Sequence, residues 1–520
     1  MKVVIVGGVA GGATTATRLR RLDENAEIIL FERGEHISFA NCGLPYYIGD
    51  VIKSEEDLLV QTPEKFKERF NIDVRIKQEV IKIDKENKQV EIRKNDTGEI
   101  YFETYDKLVL SPGAEPINPF KDVKNDRIFT IRNVNDAEKV KTFIENNNPQ
   151  SAVIVGGGYI GVEMAENLSE YNMEVSIVEK APHLISIIDR DMAHFVHKEI
   201  KKYGVKLYLN QGVNKIEEQE KLLLTLDNEK IETDLVILCI GVKPEANLAK
   251  EAGLNLNEKG AIIVNYKMQT SDENIYALGD AVEVQNIITD ARSGIALAGP
   301  ANRQARIVAN NIEGITSTYD GFIGSSILKI FNYSLGIAGL SEKVCKTLDI
   351  PYKIMIISPY SHATYYPGAK MITIKAIYNS QTSQILGAYV WGKASVDKIT
   401  DILSVAIQTK MKAADLSALE LCYAPPFSSA KSPVNTLGNA IENEMDDLVD
   451  TISVEELKNK ENPYILDVRT VEEYNLSHID GAINIPLDEL RENLEKLDKS
   501  KEIIVHCHSG LRSYLACRIL

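Results

Sequence analysis

One cysteine near the amino terminus gives the clearest chemical signal in the sequence. Cys42 lies in residues 38–47, soon after a glycine-rich turn, and the next cysteine along the chain is Cys239. A thiol at this place suggests redox chemistry beside a bound nucleotide. Because no second cysteine follows closely, the oxidised form of Cys42 must be a mixed disulfide with a small thiol, a persulfide or a sulfenic acid. The residues alone leave these three forms open.

A second thiol lies near the carboxyl terminus. Residues 503–513 read as a strand, a tight loop and the start of a helix, and four residues separate Cys507 from Arg512. The backbone N–H groups of the loop, the helix N-terminus and Arg512 would stabilise a thiolate and then a persulfide on Cys507. Phosphatases with a related loop place five residues between cysteine and arginine, so this smaller ring suits sulfur rather than phosphate.

The elements that must position Cys42 are two nucleotide-binding turns of the same design. Residues 3–12 and 152–161 each read as a buried strand, a glycine turn and a helix start. A further strand follows each turn and ends in an acid, Glu32 in the first case and Glu179 in the second. At this spacing the acid can accept hydrogen bonds from both ribose hydroxyls. The sequence therefore predicts two dinucleotide-binding folds.

The second turn has the complete glycine pattern. Gly156, Gly158 and Gly161 follow a predicted strand and precede a predicted helix, which indicates a nicotinamide nucleotide. Glu179 favours NADH, because the 2′-phosphate of NADPH would meet its charge. Lys180 stands next to it and keeps NADPH open.

The first turn departs from this pattern, since Val9 stands at the middle glycine. Glu32, Gly113 and Asp280 support it as an FAD site, because an acid after the returning strand can bind the ribityl and pyrophosphate region. The predicted cofactor-binding residues are Gly7, Gly8, Val9, Ala10, Gly12, Glu32, Arg33, Cys42, Ser111, Gly113, Gly279 and Asp280 for FAD, and Gly156, Gly158, Tyr159, Ile160, Gly161, Glu179 and Lys180 for NADH or NADPH.

The two nucleotide folds are interleaved along the chain. Each fold ends in a predicted strand that is followed by a glycine, and a strand further along the chain returns to the first fold. The second fold is therefore inserted in the first, and the fold class is α/β with two Rossmann-like domains. An α+β domain and a final α/β segment follow. The predicted boundaries are 1–113 and 244–320 for the FAD-binding domain, 114–243 for the NAD(P)H-binding domain, 321–443 for the α+β domain and 448–520 for the final segment.

Composition excludes several classes of partner. The formal net charge of −16 argues against nucleic acid or an anionic membrane as the main partner. Six cysteines in 520 residues do not make a disulfide framework. The amino terminus reads as a strand rather than a signal peptide, and no apolar run is long enough to cross a membrane. We therefore expect a cytoplasmic protein, and we predict no metal site.

Up to about residue 440 the chain resembles coenzyme A-disulfide reductase, a member of the pyridine nucleotide-disulfide oxidoreductase superfamily. The segments that carry the resemblance are residues 7–12, 38–47, 62–66, 111–114, 362–368 and 423–428. The resemblance implies FAD, a homodimer formed through the α+β domain, and one cysteine that cycles through a mixed disulfide with coenzyme A. By position, Cys42 is the nucleophile.

The resemblance also implies a set of substrate residues. Tyr365 and Tyr423 would approach Cys42 from the partner subunit and donate protons to a leaving thiolate; Tyr366 is adjacent and stays open as an alternative. The predicted coenzyme A site consists of Thr14, Arg18, Arg21, Ser38, Asn41 and Lys431. Arg18 and Arg21 are one helical turn apart, which suits a pair of phosphate clamps.

Ala10 and the other cysteines before the final segment limit the reactions that the protein could catalyse. Related NADH peroxidases carry a histidine where this chain has Ala10, and alanine cannot act as an acid or base, so a peroxidase is disfavoured. Cys239, Cys345 and Cys422 have no partner motif, and we expect them to be structural.

The final segment resembles a rhodanese domain through residues 464–469, 478–486 and 503–513. By this resemblance Cys507 and Arg512 are its catalytic residues. The sequence stops inside the helix after the loop, where a rhodanese domain normally continues for another strand and helix. We therefore expect an incomplete domain with uncovered apolar surface, less stable than the core.

Together these features predict an FAD-dependent NAD(P)H reductase of coenzyme A disulfide, coenzyme A persulfide or polysulfide, coupled to rhodanese sulfur transfer. The alternatives are an NADH oxidase that reduces oxygen, and a coenzyme A-linked redox sensor or sulfur carrier. The sequence leaves open the choice of NADH or NADPH, the natural sulfur substrate and the activity of the final domain.

Overall fold

The computed structural model describes residues 1–520. The chain divides into two units: the first contains Met1–Ser186 and Val196–Phe322, and the second contains Ile187–Phe195 and Ile323–Leu520. None of the helices has both the length and the apolar character that a membrane span requires.

The first unit begins with a strand, a glycine turn and a helix. Val3, Val4 and Ile5 are fully buried in the first strand, as a parallel sheet covered on both faces requires. The elements up to the crossover are β1 (Lys2–Val6), α1 (Ala10–Leu22), β2 (Glu27–Glu32), α2 (Leu44–Ile48), α3 (Pro63–Phe70), β3 (Asp73–Ile76), β4 (Gln78–Asp84), β5 (Gln89–Lys94), β6 (Ile100–Thr104), β7 (Lys107–Leu110) and β8 (Ala114–Pro116). Strands β4, β5 and β6 form a separate antiparallel meander.

A second fold of the same kind follows. Its elements are β9 (Ile128–Thr130), α4 (Val134–Asn147), β10 (Ser151–Val155), α5 (Tyr159–Ser169), β11 (Glu174–Glu179), α6 (Arg190–Lys202), β12 (Lys206–Leu209), β13 (Val213–Glu218), β14 (Leu222–Leu226), β15 (Lys230–Thr233), β16 (Leu235–Leu238) and β17 (Val242–Pro244). The parallel sheet has the order β12-β11-β10-β16-β9, and β13, β14 and β15 form a meander like that of the first fold.

The chain then returns to the first sheet. The returning elements are α7 (Asn247–Glu251), β18 (Ile262–Ile263), β19 (Ile275–Ala277), β20 (Val282–Gln285), β21 (Arg292–Ser293) and α8 (Ala298–Ile312). Strand β19 pairs with β7 and completes a sheet of order β19-β7-β1-β2-β3. The two crossings between the folds, β8 and β17, pair with each other antiparallel. The second fold is thus inserted in the first, as the sequence predicts.

The second unit contains an antiparallel sheet flanked by helices. Its elements are β22 (Ser326–Ile330), β23 (Tyr333–Gly339), α9 (Glu342–Thr347), β24 (Tyr352–Ile357), β25 (Ile372–Asn379), β26 (Ile385–Gly392), α10 (Val396–Gln408), α11 (Ala413–Ala418) and α12 (Pro433–Met445), with the sheet order β22-β23-β26-β25-β24. Lys375 is fully buried on β25, and its ammonium lies 3.1 Å from Asp189, 2.8 Å from Asp191 and 2.5 Å from Glu342. A buried cation needs such partners, since an unpaired charge in the interior is very costly.

The last part of the second unit is a small α/β domain. Its elements are α13 (Val454–Asn459), β27 (Tyr464–Asp467), α14 (Val471–Leu476), β28 (Ile483–Asn484), β29 (Ile503–His506) and α15 (Leu511–Ile519). The three strands are parallel in the order β28-β27-β29. The predicted fold class, an α/β protein with two interleaved nucleotide folds, an α+β domain and a final α/β domain, is confirmed. The exact domain boundaries stay predictions.

Large apolar side chains are exposed in the final domain, among them Leu476 at 86% and Leu511 at 66%. Its buried cluster is small, whereas one continuous cluster runs through the first nucleotide fold. We therefore predict that amides of β27 and β29 exchange with solvent faster than those of β1 and β7, because less apolar burial opposes local opening. Native-state hydrogen exchange read by mass spectrometry measures this. Equal protection, lost in a single cooperative step, would contradict the prediction.

Candidate functional site

Cys42 stands in a 3₁₀ turn, Asn41–Gly43, that runs directly into α2. The segment before it is tied to the first glycine turn, since the Ser38 N–H donates to the Gly8 carbonyl at 2.8 Å. Ser38 has φ of +47°, a left-handed conformation that is unfavourable for a serine. The contact with Gly8 holds this segment against the first glycine turn, and Cys42 follows four residues later as an exposed residue.

The surroundings of Cys42 disfavour its thiolate. Desolvation by the surrounding protein raises the pKa of the thiol, and the charges of Glu163 and Asp280 raise it further. The Tyr46 hydroxyl, on α2 one turn after Cys42, donates to Glu163 at 3.3 Å. Burial also raises the pKa of Glu163 itself. The sequence reasoning missed Glu163, although its place on α5 one turn after Tyr159 could have indicated it.

The first glycine turn has the shape that FAD requires. Gly7 has φ of +97°, and a Cβ there would lie 2.1 Å from the Ser111 carbonyl oxygen. The Glu32 carboxylate accepts the N–H groups of Gly8 and Gly34 at 2.9 and 2.7 Å, which places it at the end of β2 where a ribose would lie. These residues fit the cofactor.

The other predicted FAD residues line the same edge of the sheet. Asp280 follows Gly279 after β19, and burial raises the pKa of its carboxyl to about 6. A largely buried acid of this kind suits hydrogen bonds to the ribityl hydroxyls. Arg33 is exposed and donates to Glu115 at 3.0 Å rather than to the turn. Val9 precedes α1 with no side-chain cap, and a Cβ on Gly113 would meet nothing within 4 Å.

The second turn repeats this geometry and fits a nicotinamide nucleotide. Gly156 has φ of +106°, and a Cβ there would lie 2.4 Å from the Cys239 carbonyl oxygen. The Glu179 carboxylate accepts the N–H groups of Gly157 and Ala181, both at 2.7 Å. A Cβ on Gly158 would meet nothing within 4 Å, so the N-terminus of α5 is open to a pyrophosphate. Ile160 is exposed beside it.

Helices α1 and α8 form a basic surface in the first unit. Thr14 donates to Asn302 at 2.6 Å, and Arg18 donates to Asn310 through Nε and Nη2. Desolvation lowers the pKa of Arg18, and the charges of Arg306 and Arg21 lower it further. None of these three arginines is within ion-pair distance of a carboxylate. Unpaired like charges at one place indicate a site for a polyanion.

Sequence reasoning identified only the α1 half of this surface. Arg306, Asn302 and Asn310 lie on α8, almost 300 residues away in the chain, and no local motif marks them. Of the other predicted coenzyme A residues, Asn41 is exposed beside Cys42. Lys431 belongs to the second unit, where it lines a cavity.

That cavity has a volume of about 320 Å³ and contains both predicted catalytic tyrosines. The hydroxyls of Tyr365 and Tyr423 are 2.7 Å apart, and this hydrogen bond raises the pKa of Tyr365. The Tyr366 ring instead packs edge-on against His362 and does not line the cavity. The geometry therefore favours Tyr365 over Tyr366 as the partner of Tyr423.

The surroundings of Cys507 favour its thiolate, whereas those of Cys42 disfavour it. Its Sγ accepts the Gly510 N–H at 3.1 Å and lies 3.4 Å from the Ser513 hydroxyl, at the N-terminus of α15. Burial opposes ionisation, but hydrogen bonds from Ser513 and from the amides of Ser509 and Gly510 outweigh it and lower the pKa of Cys507. The loop is therefore built to hold a sulfur anion.

Arg512 contributes to this loop differently from the sequence expectation. Its Nη1 and Nη2 donate to the two carboxylate oxygens of Glu473, at 2.6 and 2.8 Å. Arg512 makes no hydrogen bond to the Cys507 sulfur, but the charges of the two groups act on each other. Glu473, on α14, is a second residue that sequence reasoning missed.

All six cysteines are free thiols. Cys345 is buried and Cys239 is partly buried, and desolvation raises the pKa of Cys239 to about 12 and that of Cys345 to about 11. Cys422 is exposed in the loop before Tyr423, and its role as a structural cysteine stays a prediction.

Comparison with family models divides the chain into three parts. Residues 1–305 match the model described as pyridine nucleotide-disulphide oxidoreductase, and residues 325–433 match the dimerisation domain of the same proteins. Residues 451–520 match a rhodanese-like domain.

Known proteins of similar sequence and structure span the chain. Coenzyme A disulfide reductase of Staphylococcus epidermidis is 36% identical over 84% of this chain and 99% of its own length. The crystal structure of reduced Bacillus anthracis CoADR-RHD is 47% identical, with a TM-score of 0.96, over 100% of this chain and 94% of its own. The structure of an NAD-dependent persulfide reductase from A. fulgidus is 36% identical, with a TM-score of 0.95, over 100% of this chain and 96% of its own.

We predict that Glu163→Gln lowers the pKa of the Cys42 thiol, because it removes a negative charge that disfavours the thiolate. The rate of iodoacetamide alkylation of Cys42 in the holoenzyme, followed as a function of pH by peptide mass spectrometry, should shift to lower pH. Glu170→Gln, at the exposed end of the same helix, is the control and should leave the profile unchanged. An unshifted profile in Glu163→Gln would contradict the prediction.

Proposed function

Because the chain belongs to the pyridine nucleotide-disulphide oxidoreductases, we propose that it is an FAD-dependent NAD(P)H reductase of coenzyme A disulfide and coenzyme A persulfide or polysulfide, coupled to rhodanese sulfur transfer. Relatives named coenzyme A disulfide reductase and NAD-dependent persulfide reductase support the substrate class. A rhodanese-like domain on the same chain supports the link to sulfane sulfur.

The observation that carries the substrate proposal is the group of unpaired arginines Arg18, Arg21 and Arg306, in the same unit as Cys42. Coenzyme A carries a 3′-phosphate and a pyrophosphate at one end and its thiol at the other. Arginine binds phosphate through two parallel N–H donors, so this group suits the nucleotide end of the substrate. Glutathione disulfide has no phosphate, so only its carboxylates could pair with these arginines.

Cys42 performs the thiol exchange. Its thiolate attacks one sulfur of coenzyme A disulfide, the S–S bond of the substrate breaks, and the second coenzyme A leaves as a thiolate. With a persulfide as substrate, attack on the inner sulfur releases hydrosulfide and leaves the same mixed disulfide. When held at the two glycine turns, FAD and NAD(P)H would supply the electron pair that returns Cys42 to the thiol and frees coenzyme A.

Tyr365 and Tyr423 hold the proton for the leaving thiolate. A hydroxyl pair at 2.7 Å can donate one hydrogen bond outward while the inner bond is kept. In the homodimer that the family implies, this pair from one subunit would serve Cys42 of the other. A dimerisation domain on the chain supports that assembly.

The rhodanese thiol completes the sulfur chemistry. Cys507 would accept a sulfane sulfur as a persulfide and pass it to coenzyme A, which gives the substrate for Cys42. Glu179 favours NADH as the reductant, since its carboxylate is fixed where a 2′-phosphate would lie. A cytoplasmic location stays part of the proposal.

We predict fast anaerobic oxidation of NADH by the purified protein with coenzyme A disulfide and coenzyme A persulfide, and slow oxidation with glutathione disulfide. Cys42→Ser should abolish turnover with all three, because the nucleophile is lost. Absorbance of NADH under argon measures the rates. Turnover that begins only when air is admitted would favour the oxidase instead, and a stable coenzyme A adduct with very slow turnover would favour a redox sensor.

We predict that Arg306→Ala raises KM for coenzyme A disulfide about tenfold, because a charge-assisted phosphate contact of about 1.4 kcal/mol is lost. The value of kcat should stay the same, because a contact with the nucleotide end of the substrate is equally strong in the ground state and the transition state. Steady-state kinetics with NADH in excess measures both. Arg93→Ala removes an exposed arginine that pairs with Glu79 in the β4–β6 meander and is the control. An unchanged KM in Arg306→Ala would remove this residue from the site.

A further inference from the structure

Arg512 is close enough to Cys507 for their charges to interact, and a second arginine, Arg469, lies near Arg512; each arginine is paired with a carboxylate. Arg512 donates through both terminal nitrogens to Glu473. Arg469 donates through Nε and Nη2 to Asp467, at 2.6 to 3.0 Å. The arginines are close enough to each other that the charge of Arg512 acts on Arg469. The charges next to the sulfur therefore cancel in pairs.

The other titratable groups facing Cys507 do not change this balance. His506 precedes it in β29, and burial lowers the pKa of the imidazole, so it is neutral at pH 7. His508 is exposed in the loop. Cys517, on α15, is close enough for the charge of Cys507 to raise its pKa, and burial raises it more, so it stays a thiol. The Arg512 guanidinium lowers the pKa of Glu473 to about 2, which keeps that carboxylate charged at working pH.

We propose that Glu473 is a specificity-determining residue of the Cys507 site, which cancels the charge of Arg512 and so selects persulfides over thiosulfate as sulfur donors. The proposal rests on the proposed role of this domain as a carrier of sulfane sulfur, and it names the class of donor that the domain accepts.

The charge of the reacting groups explains the selection. With a neutral persulfide, the Cys507 thiolate attacks the outer sulfur, the S–S bond of the donor breaks, and a thiolate leaves: Cys507–S⁻ + RS–SH gives Cys507–S–SH + RS⁻. The reacting centre carries a single negative charge throughout. With thiosulfate, Cys507–S⁻ + S–SO₃²⁻ gives Cys507–S–S⁻ + SO₃²⁻. The reacting centre then carries three negative charges, which a site of cancelled charges stabilises poorly.

Glu473 also has a structural role that the test must separate from this one. As the third residue of α14 it accepts the Thr470 N–H at 3.1 Å and closes a capping box with the Thr470 hydroxyl. Glutamine keeps the shape and one amide oxygen, which can accept the Thr470 N–H and one N–H of Arg512. It removes the charge and the second hydrogen bond from Arg512. Glu472 is exposed on the same helix, and Glu472→Gln gives a control with the same charge change.

The experiment measures sulfur loading on the full-length holoenzyme without NADH. Thiosulfate and glutathione persulfide are the donors, cyanide is the acceptor, and thiocyanate formation and the persulfide mass on the Cys507 peptide are the readouts. We expect Glu473→Gln to raise kcat/KM for thiosulfate about tenfold, which corresponds to about 1.4 kcal/mol. The gain should come mainly from a lower KM, while kcat/KM for glutathione persulfide stays within about twofold. Glu472→Gln and the charge-retaining Glu473→Asp should keep the donor ratio of the wild type.

Salt dependence of the wild type gives a test that needs no variant. Where the surrounding charges cancel, screening reduces the repulsion between the Cys507 thiolate and thiosulfate, and kcat/KM for thiosulfate should rise with salt. A cationic site would give a fall instead.

Three results would overturn the proposal: equal losses with both donors in Glu473→Gln, which would make Glu473 a scaffold only; a wild type that uses thiosulfate as well as persulfide; and a thiosulfate rate that falls with salt. If the reductase proposal fails, the NADH oxidation assay shows no turnover that depends on Cys42. The sulfur-loading assay contains no NADH, so the two failures can be distinguished.

Discussion

The close approach between a helix and the strand before it is the constraint on which both nucleotide sites depend. A Cβ on Gly12 would lie 1.9 Å from the Gly7 carbonyl oxygen, and a Cβ on Gly161 would lie 2.0 Å from that of Gly156. Any side chain at Gly12 or Gly161 would push α1 or α5 away from its sheet. Helix α1 carries the arginines of the basic surface, and α5 carries the carboxyl beside Cys42. The glycines therefore position the basic surface and the Glu163 carboxyl as well as the nucleotide turns.

The two reactive thiols differ in the physical environment that the fold gives them. Around Cys42, desolvation and nearby carboxyl groups favour the thiol, so the thiolate is available only when something stabilises it. Around Cys507, hydrogen bonds at a helix N-terminus favour the sulfur anion. A carrier of sulfane sulfur needs a standing thiolate to accept the atom. A thiol that alternates between a mixed disulfide and the free form needs a proton donor, and the contact between Tyr46 and Glu163 beside Cys42 can hold such a proton.

The nucleotide folds could be predicted from sequence because their constraints are local. A glycine turn after a buried strand, with an acid at the end of the next strand, fixes the geometry within about 30 residues. The structure repeats it down to the paired amides on Glu32 and Glu179. Arg306 and Glu473 could not be found in this way, because their partners are distant in the chain and packing alone brings them together. The exposure of a single residue such as Cys422 could not be predicted either, because the local sequence does not determine it.

We propose that one thiol, Cys42, carries coenzyme A as a covalent intermediate. The most direct test is peptide mass spectrometry of the holoenzyme after anaerobic incubation with coenzyme A disulfide, before and after one equivalent of NADH. We expect a coenzyme A mixed disulfide on the Cys42 peptide alone, which NADH removes completely with release of free coenzyme A. An unmodified Cys42, an adduct on another of the six cysteines, or an adduct that persists after NADH would contradict the account.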